Sequence, residues 1–204
     1  MLLKIYPENP QPRAIKTVID ILEKGGVIIY PTDSVYGIGC DIHQPKAIER
    51  VARIKGIAVE KAQFSIIFRD LSQISEYCRL TDNAIFRMLK HHLPGPFTFI
   101  LEAGNKVPKI FTPKKKTIGI RIPDNNIIRT IVEELGRPLL TTSVKDDDEI
   151  IEYTTDPELI HERYKALTDV VIDGGFGNNI ASTVVDCTTG EPVIVRQGIG
   201  VVEF

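Results

Sequence analysis

The stretch VIIYPTDSVYGIGC, residues 27–40, decides how the rest of the chain reads. Val27, Ile28 and Ile29 form a continuous apolar run of the kind that a strand buried on both faces carries. It ends abruptly in Pro31, Thr32, Asp33 and Ser34, with Gly37 and Gly39 close behind. A plain turn needs one or two such residues, and here they make up most of the segment. Two readings are open. In open α/β sheets ligands bind outside the carboxyl ends of the strands. Thr32 and Ser34 would then be compact hydrogen-bonding groups at a ligand site, with Gly37 and Gly39 letting the backbone approach the ligand. The alternative is a hairpin-like turn with an Asx cap. The density of donors at the end of one strand favours the ligand site.

Outward from this stretch, apolar spacing predicts a helix over Arg13–Lys24 stopped by Gly25-Gly26, and a second over Pro45–Lys55 with Pro in its first turn. Further helices are expected over Leu71–Cys78, Ala84–Lys90 (capped by Thr81 or Asp82), Asn126–Leu135 and Asp156–Leu167. Strands are expected over Val27–Tyr30, Phe64–Phe68, Phe97–Leu101, Thr117–Ile122, Leu139–Ser143 and Asp169–Ile172. Thr183–Cys187 and Val193–Arg196 flank a turn at Thr188-Thr189-Gly190-Glu191 and read as a closing hairpin. Helices and strands interleave and then two strands follow in sequence, which implies an α/β fold with a mixed, twisted, open sheet and flanking helices. No repeat or linker divides residues 1–204, so a single domain is expected.

Composition narrows the function classes. Of 204 residues, 43% are hydrophobic and 25% charged, with a net charge of −2, which excludes a nucleic-acid-binding polycation. Cys40, Cys78 and Cys187 are far apart and no signal peptide precedes them, which points to free thiols in a reducing cytoplasm. His43, His91, His92 and His161 lack metal-ligand spacing, and no metal site is expected. No apolar run approaches the roughly 20 residues of a membrane span. Residues 104–129 hold seven Lys or Arg (Lys106, Lys109, Lys114, Lys115, Lys116, Arg121 and Arg129) against Asp124 alone, a local block able to meet phosphates or RNA backbone. The seven acids between Asp146 and Glu158 read as a solvated loop.

Several motifs follow one another from residue 30 to 198. After Pro31-Thr32-Asp33-Ser34-Val35-Tyr36-Gly37-Ile38-Gly39 come Ile54-Lys55, Phe64-Ser65-Ile66-Ile67 and Pro94-Gly95-Pro96-Phe97-Thr98. Then come Gly119-Ile120-Arg121-Ile122-Pro123, Pro138-Leu139-Leu140-Thr141-Thr142-Ser143, Ser182-Thr183-Val184-Val185-Asp186 and Val195-Arg196-Gln197-Gly198. In this order they resemble the YrdC/YciO family, the threonylcarbamoyl-AMP synthase superfamily. The resemblance implies that L-threonine, bicarbonate and ATP, with Mg2+ on the phosphates, give threonylcarbamoyl-AMP and pyrophosphate for N6-threonylcarbamoyladenosine synthesis on tRNA. It implies that Thr32, Arg121, Ser182 and Thr183 meet threonine, Arg121 through a guanidinium fork on the carboxylate. It places Lys55, Thr98, Ser143 and Arg196 on the nucleotide, and Lys55, Arg121, Ser143 and Arg196 at the chemistry. Tyr36 reads as either a site residue or a core aromatic.

Two positions depart from the pattern. The family's K-x-R pair is Lys55-Gly56-Ile57 here, and its S-x-N pair is Ser143-Val144-Lys145. Losing a phosphate-binding arginine from a partly buried site costs about 2–5 kcal/mol. This resembles the YciO branch more than the YrdC branch. A nucleotide- or double-stranded-RNA-binding protein without synthase activity is therefore the alternative, and a different adenylation on the same fold a third reading. The chain ends soon after Val195-Arg196-Gln197-Gly198, so the additional C-terminal domain of longer family members is not expected.

Overall fold

The structure is a computed structural model and describes residues 1–80, 82–111, 116–144 and 154–203. The apolar run ahead of Pro31 becomes β2 (Ile28–Tyr30), deep inside one mixed sheet. Its companions are β1 (Leu2–Lys4), β3 (Gly37–Asp41), β4 (Ser65–Ile67), β5 (Cys78–Arg79), β6 (Phe97–Ala103), β7 (Thr117–Arg121), β8 (Leu139–Ser143), β9 (Val170–Asp173), β10 (Thr183–Asp186) and β11 (Val193–Arg196). They lie in the order β1-β9-β2-β3-β8-β4-β7-β6-β10-β11, with β5 paired to β6. The pairs β1–β9, β9–β2, β4–β7 and β6–β10 are parallel, and the others along this order antiparallel.

The helices are α1 (Pro12–Glu23), α2 (Pro45–Ile54), α3 (Leu71–Tyr77), α4 (Asn83–His92), α5 (Asn126–Leu135) and α6 (Pro157–Tyr164). Pro12, Pro45 and Pro157 begin three of them, where a missing N–H costs nothing. Asp82 caps α4 by accepting the Ala84 N–H at 2.6 Å, whereas Thr81 lies outside the described residues. Asn125 accepts from both Ile127 and Ile128 at the start of α5, and Gly136 in the left-handed region ends it. Gly56, at φ 65°, closes α2 with two back-bonds: its own N–H to Arg53 O and the Ile57 N–H to Ala52 O. That pattern is a helix stop of the Schellman type.

The two sheet faces differ. On one, α2, α3, α4 and α6 bury Val51, Ile74, Leu89 and Ile160 against Ile38, Ile66, Phe99, Ile120 and Leu140. On the other, α1 and α5 bury Val18, Leu22, Ile128 and Ile131 against Ile28, Tyr30, Ile67, Leu139 and Val170. Further along this second face the side chains in register are small or polar. Gly39 lies opposite Thr141, Thr141 opposite Ser65, and Ser65 opposite Gly119. This polar strip is where the chemistry-bearing residues gather.

One expectation needs correcting. Gly37 and Gly39 do not lie in a ligand-binding loop but in β3, a central strand that forms a hairpin with β2. A Cβ on Gly37 would stand 2.8 Å from the Tyr30 ring, and one on Gly39 would stand 3.0 Å from the Tyr30 hydroxyl, besides meeting the Leu140 carbonyl oxygen. The glycines make room for the fully buried Tyr30 side chain, which crosses β3 to donate to Thr141 Oγ1 at 2.6 Å. The hairpin reading was thus right for the strands. The loop between them, Pro31–Tyr36, borders the site.

Candidate functional site

Arg121 ends β7 and is 7% exposed. Its Nη2 donates to Asp33 Oδ1 at 2.9 Å and to Ser34 Oγ at 3.1 Å, which ties the last residue of β7 to the loop after β2. Asp33 Oδ2 in turn accepts the Asp124 N–H at 2.6 Å. Nε of Arg121 is buried and has no hydrogen-bond partner. Burial pulls the guanidinium below its ordinary value, opposed first by Asp33, while Arg196 adds to the fall through repulsion. Burial also pushes the Asp33 carboxyl up, opposed first by Arg121 and then by the Asp124 N–H. Desolvation therefore outweighs pair attraction on both partners. A buried arginine with an unspent N–H and a second guanidinium within electrostatic reach is an anion-binding arrangement.

Beside it lies a hydroxyl pair. Thr98 Oγ1 and Ser182 Oγ are 2.8 Å apart and both residues are buried. Two hydroxyls sharing one bond keep one O–H proton to donate elsewhere. Arg196, on β11, donates through Nη2 and Nε to the Ser182 carbonyl at 2.8 and 3.3 Å, with Ser182 Oγ at 3.4 Å from Nη2. The parallel register of β6 and β10 sets Thr98 opposite Val184, and β11 sets Arg196 opposite the same residue. A Cβ on Gly119 would lie 2.5 Å from Ser65 Oγ and 3.1 Å from the Thr98 methyl, so that glycine keeps the floor between Ser65 and Thr98 open.

Arg121, Thr98, Ser182 and Arg196 are thus brought together, and Ser143 ends β8 opposite Gly37, half-buried. Lys55 follows the last turn of α2, half-buried, its N–H closing the helix on Val51 O. Ile57, in place of the family arginine, stands 39% exposed, and Lys145 lies outside the described residues.

Two expected substrate contacts are otherwise occupied. The Thr32 hydroxyl donates to Val35 O at 2.7 Å and accepts the Ser34 N–H at 3.0 Å, with Ser34 Oγ 3.2 Å away, so it shapes its own loop. Thr183 lies opposite Phe97 on the other sheet face, donates to Gly200 O at 2.6 Å and accepts the Gly198 N–H at 2.9 Å. It pins the C-terminal segment. Tyr36 is a core aromatic, fully buried, its hydroxyl donating to Gly175 O at 2.7 Å.

Asp33, Ser65 and Thr141 were given no site role by the sequence reading, whereas Ser34 was expected at the ligand site. All four sit inside a recognised motif, and alternation from Arg121 or Thr98 through the sheet register is the signal that would have found Ser65 and Thr141. The basic block is partly neutralised: Lys106 pairs with Glu76 at 2.7 Å and Arg121 with Asp33, while Lys114 and Lys115 lie outside the described residues. Among the described residues no group of three His, Cys, Asp or Glu could hold a metal, and no helix is long and apolar enough to cross a membrane.

The family model for Sua5/YciO/YrdC, described as Telomere recombination, matches residues 20–198. YciO of Escherichia coli (strain K12) is 42% identical over 198 residues, 96% of this chain and 94% of its own length. A crystal structure of E. coli YciO has a TM-score of 0.91 at 41% identity, covering 98% of this chain and 96% of that one. A putative threonylcarbamoyl-AMP synthase of Methanocaldococcus jannaschii is 33% identical over 202 residues, 97% of this chain and 93% of its own. P. abyssi Sua5, solved with L-threonine, shares the fold with a TM-score of 0.87 at 24% identity, over 97% of this chain and 57% of that one. With the family model matching residues 20–198 and E. coli YciO 42% identical over 96% of the chain and alike in fold, this chain belongs to the Sua5/YciO/YrdC family.

Proposed function

We infer that this protein is a nucleotidyltransferase of the threonylcarbamoyl-AMP synthase type, acting on an amino acid, bicarbonate and MgATP in the cytoplasm. One observation carries the reading: the buried Arg121, with its unpartnered Nε, faces a floor that also holds the Thr98–Ser182 hydroxyl pair and Arg196. A carboxylate on Arg121 fixes one end of the amino acid. Its amine takes up CO2 as a carbamate, and a carbamate oxygen attacks the α-phosphate of ATP and expels pyrophosphate. No covalent enzyme intermediate is needed. The work of the residues is to hold carbamate and phosphate in line and to offset negative charge. Arg196 and Lys55 serve the phosphates, Thr98 and Ser143 the nucleotide, and the spare O–H of Thr98 and Ser182 the amino-acid end. L-threonine is the amino acid proposed, because L-threonine occupies the P. abyssi Sua5 relative. The product would feed tRNA modification.

A second reading is nucleotide binding without transfer, favoured by the exposed Ile57 in place of a phosphate-binding arginine. Pyrophosphate release from MgATP and bicarbonate, with and without L-threonine, separates the two, with the adenylate identified by mass. Threonine-dependent release is expected. Heat stabilisation by ATP without release would favour the second reading, and double-stranded RNA binding that weakens steeply with salt, with no ATP effect, would replace both.

A further inference from the structure

Residues 174–181, which join β9 to β10, hold a large aromatic side chain in water. Phe176 is 81% exposed, yet the backbone on either side of it is tied down. The Tyr36 hydroxyl accepts the Gly174 N–H at 3.3 Å and donates to Gly175 O at 2.7 Å. The Gly175 N–H reaches Asp173 Oδ1 at 2.9 Å, and the Gly177 N–H reaches Thr155 O at 2.8 Å. Gly175 turns at φ 93°, and a Cβ on Gly177 would stand 2.6 Å from the Tyr36 ring, so both glycines let the turn sit on Tyr36. A backbone fixed in this way forgoes the burial that the Phe176 ring would otherwise gain, and a planar ligand laid on the ring restores it.

Phe176 lines a cavity of about 500 Å3, whose other described walls are Thr155, Gly177, Asn178 and Asn179. That volume lies in the range of small-molecule sites. Asn178 Oδ1 accepts the Ile180 N–H at 3.0 Å, which leaves the Asn178 amide N–H groups and the exposed Asn179 amide to meet the edge of a ligand. No Lys or Arg is among the described residues of the lining, and Asp156 and Asp173 lie within electrostatic reach of the Tyr36 hydroxyl behind it. Phosphate is disfavoured in such surroundings, whereas an uncharged heterocycle is not.

The cationic floor is next door. The Asn178 N–H donates to Ser34 O at 3.2 Å, and Ser34 Oγ accepts from Arg121. The same segment runs on into Ser182, whose carbonyl holds Arg196. A neutral compartment with an aromatic wall thus adjoins one with two guanidinium groups, and a nucleotide has the same polarity, an uncharged base on an anionic tail.

We propose that the cavity at Phe176 is a nucleobase subsite: the ring stacks on the adenine of a nucleotide, Asn178 and Asn179 meet the edge of the base, and the phosphates extend toward Arg196. A carboxamide matches the N6 amino group and N7 of adenine. The inference rests on the reading of Arg196 as a phosphate ligand.

The chain has no tryptophan, so Phe176→Trp puts a single indole at the cavity of the full-length protein. MgATP and adenosine should quench its fluorescence, and inorganic triphosphate should not. Phe176→Ala should weaken MgATP roughly 5- to 100-fold in titration calorimetry, the loss expected for one base–aromatic stack. Triphosphate affinity and the urea midpoint of that variant should stay as they were, because the ring is exposed. Undiminished MgATP affinity in Phe176→Ala, or an equal loss for MgATP and triphosphate, would overturn the subsite. Triphosphate binding beside an indole blind to MgATP and adenosine would overturn it too, and spare Arg196. Quenching by adenosine in a protein that does not bind triphosphate would uphold the subsite and sink the phosphate reading. Single-stranded oligoadenylate quenching at lower concentration than MgATP would hand the cavity to RNA and overturn the assignment. Silence from every probe overturns subsite and phosphate reading together.

Discussion

Replacing Arg196 by alanine separates binding from architecture. Arg196 lies on an exposed edge strand, and its described bonds go to Ser182, two of them to the carbonyl at 2.8 and 3.3 Å. Part-buried hydrogen bonds from such a side chain contribute about 0.5–1.5 kcal/mol net. Removing the guanidinium also relieves its repulsion of Arg121, which trims that loss. For a chain of this size about 1 kcal/mol is worth roughly 2–4 °C in Tm. If Arg196 meets ATP phosphates in a partly desolvated site, the binding loss is about 2–5 kcal/mol, roughly 30-fold to several-thousand-fold in Kd. Titration calorimetry with MgATP, beside urea unfolding of the same samples, reads both quantities. The expected outcome is a large loss of affinity with a small fall in the urea midpoint. Unchanged ATP affinity would remove Arg196 from the site. A stability loss as large as the binding loss would make it a structural residue of the hairpin.

Two further perturbations test the packing around the site. Gly39→Ala brings a Cβ into the Leu140 carbonyl oxygen, backbone that cannot step aside, so a loss above about 4 kcal/mol is expected, against about 1 kcal/mol for Gly56→Ala, where a positive φ is strained but the space is open; equal urea midpoints for the two variants would refute the account of β3. Burial pushes the Cys78 and Cys187 thiols up to about 12, so at pH 8.5 iodoacetamide should label them slowly in the folded protein and readily in urea, read by mass. The folded chain holds these protons while an unfolded thiol loses them near pH 8.5, so their contribution to stability is intact below that pH and is lost as pH rises toward 12. A urea midpoint that does not fall between pH 7 and pH 10 would contradict the sign.

The parts of the fold that were legible in the sequence are those where one residue pattern answers to one environment. Val18 and Leu22, or Ile128 and Ile131, fall at helical spacing because each helix buries one face, and the structure places them so. β3 was invisible because a strand of Gly-Ile-Gly-Cys-Asp carries no period-two apolar signal on the face that matters. The side chain filling that face belongs to Tyr30, nine residues from Gly39, and local periodicity cannot see a neighbour on another strand. β5 and β1 are too short to carry a period at all. In the site, residue type was readable but direction was not. Thr183 and Thr98 both sit in signature motifs, yet strand alternation turns one hydroxyl to the C-terminal segment and the other to Ser182. Asp33 carried no assigned role because its partner, Arg121, lies 88 residues away.

The position of β11 has a consequence of its own. Among the described residues, the strand that carries Arg196 is the outermost of the hairpin and is paired on one side only, and all four of its residues are exposed. Strands at such a rim open at a small fraction of the free energy needed to unfold the sheet. One of the two guanidinium groups can therefore leave while Arg121, at the end of the interior strand β7 and locked to Asp33 and Ser34 of the loop between β2 and β3, stays put. The pocket has an anchored half and a detachable half, and a polyanion gripping Arg196 would act as a clasp, drawing the rim strand down as it settles.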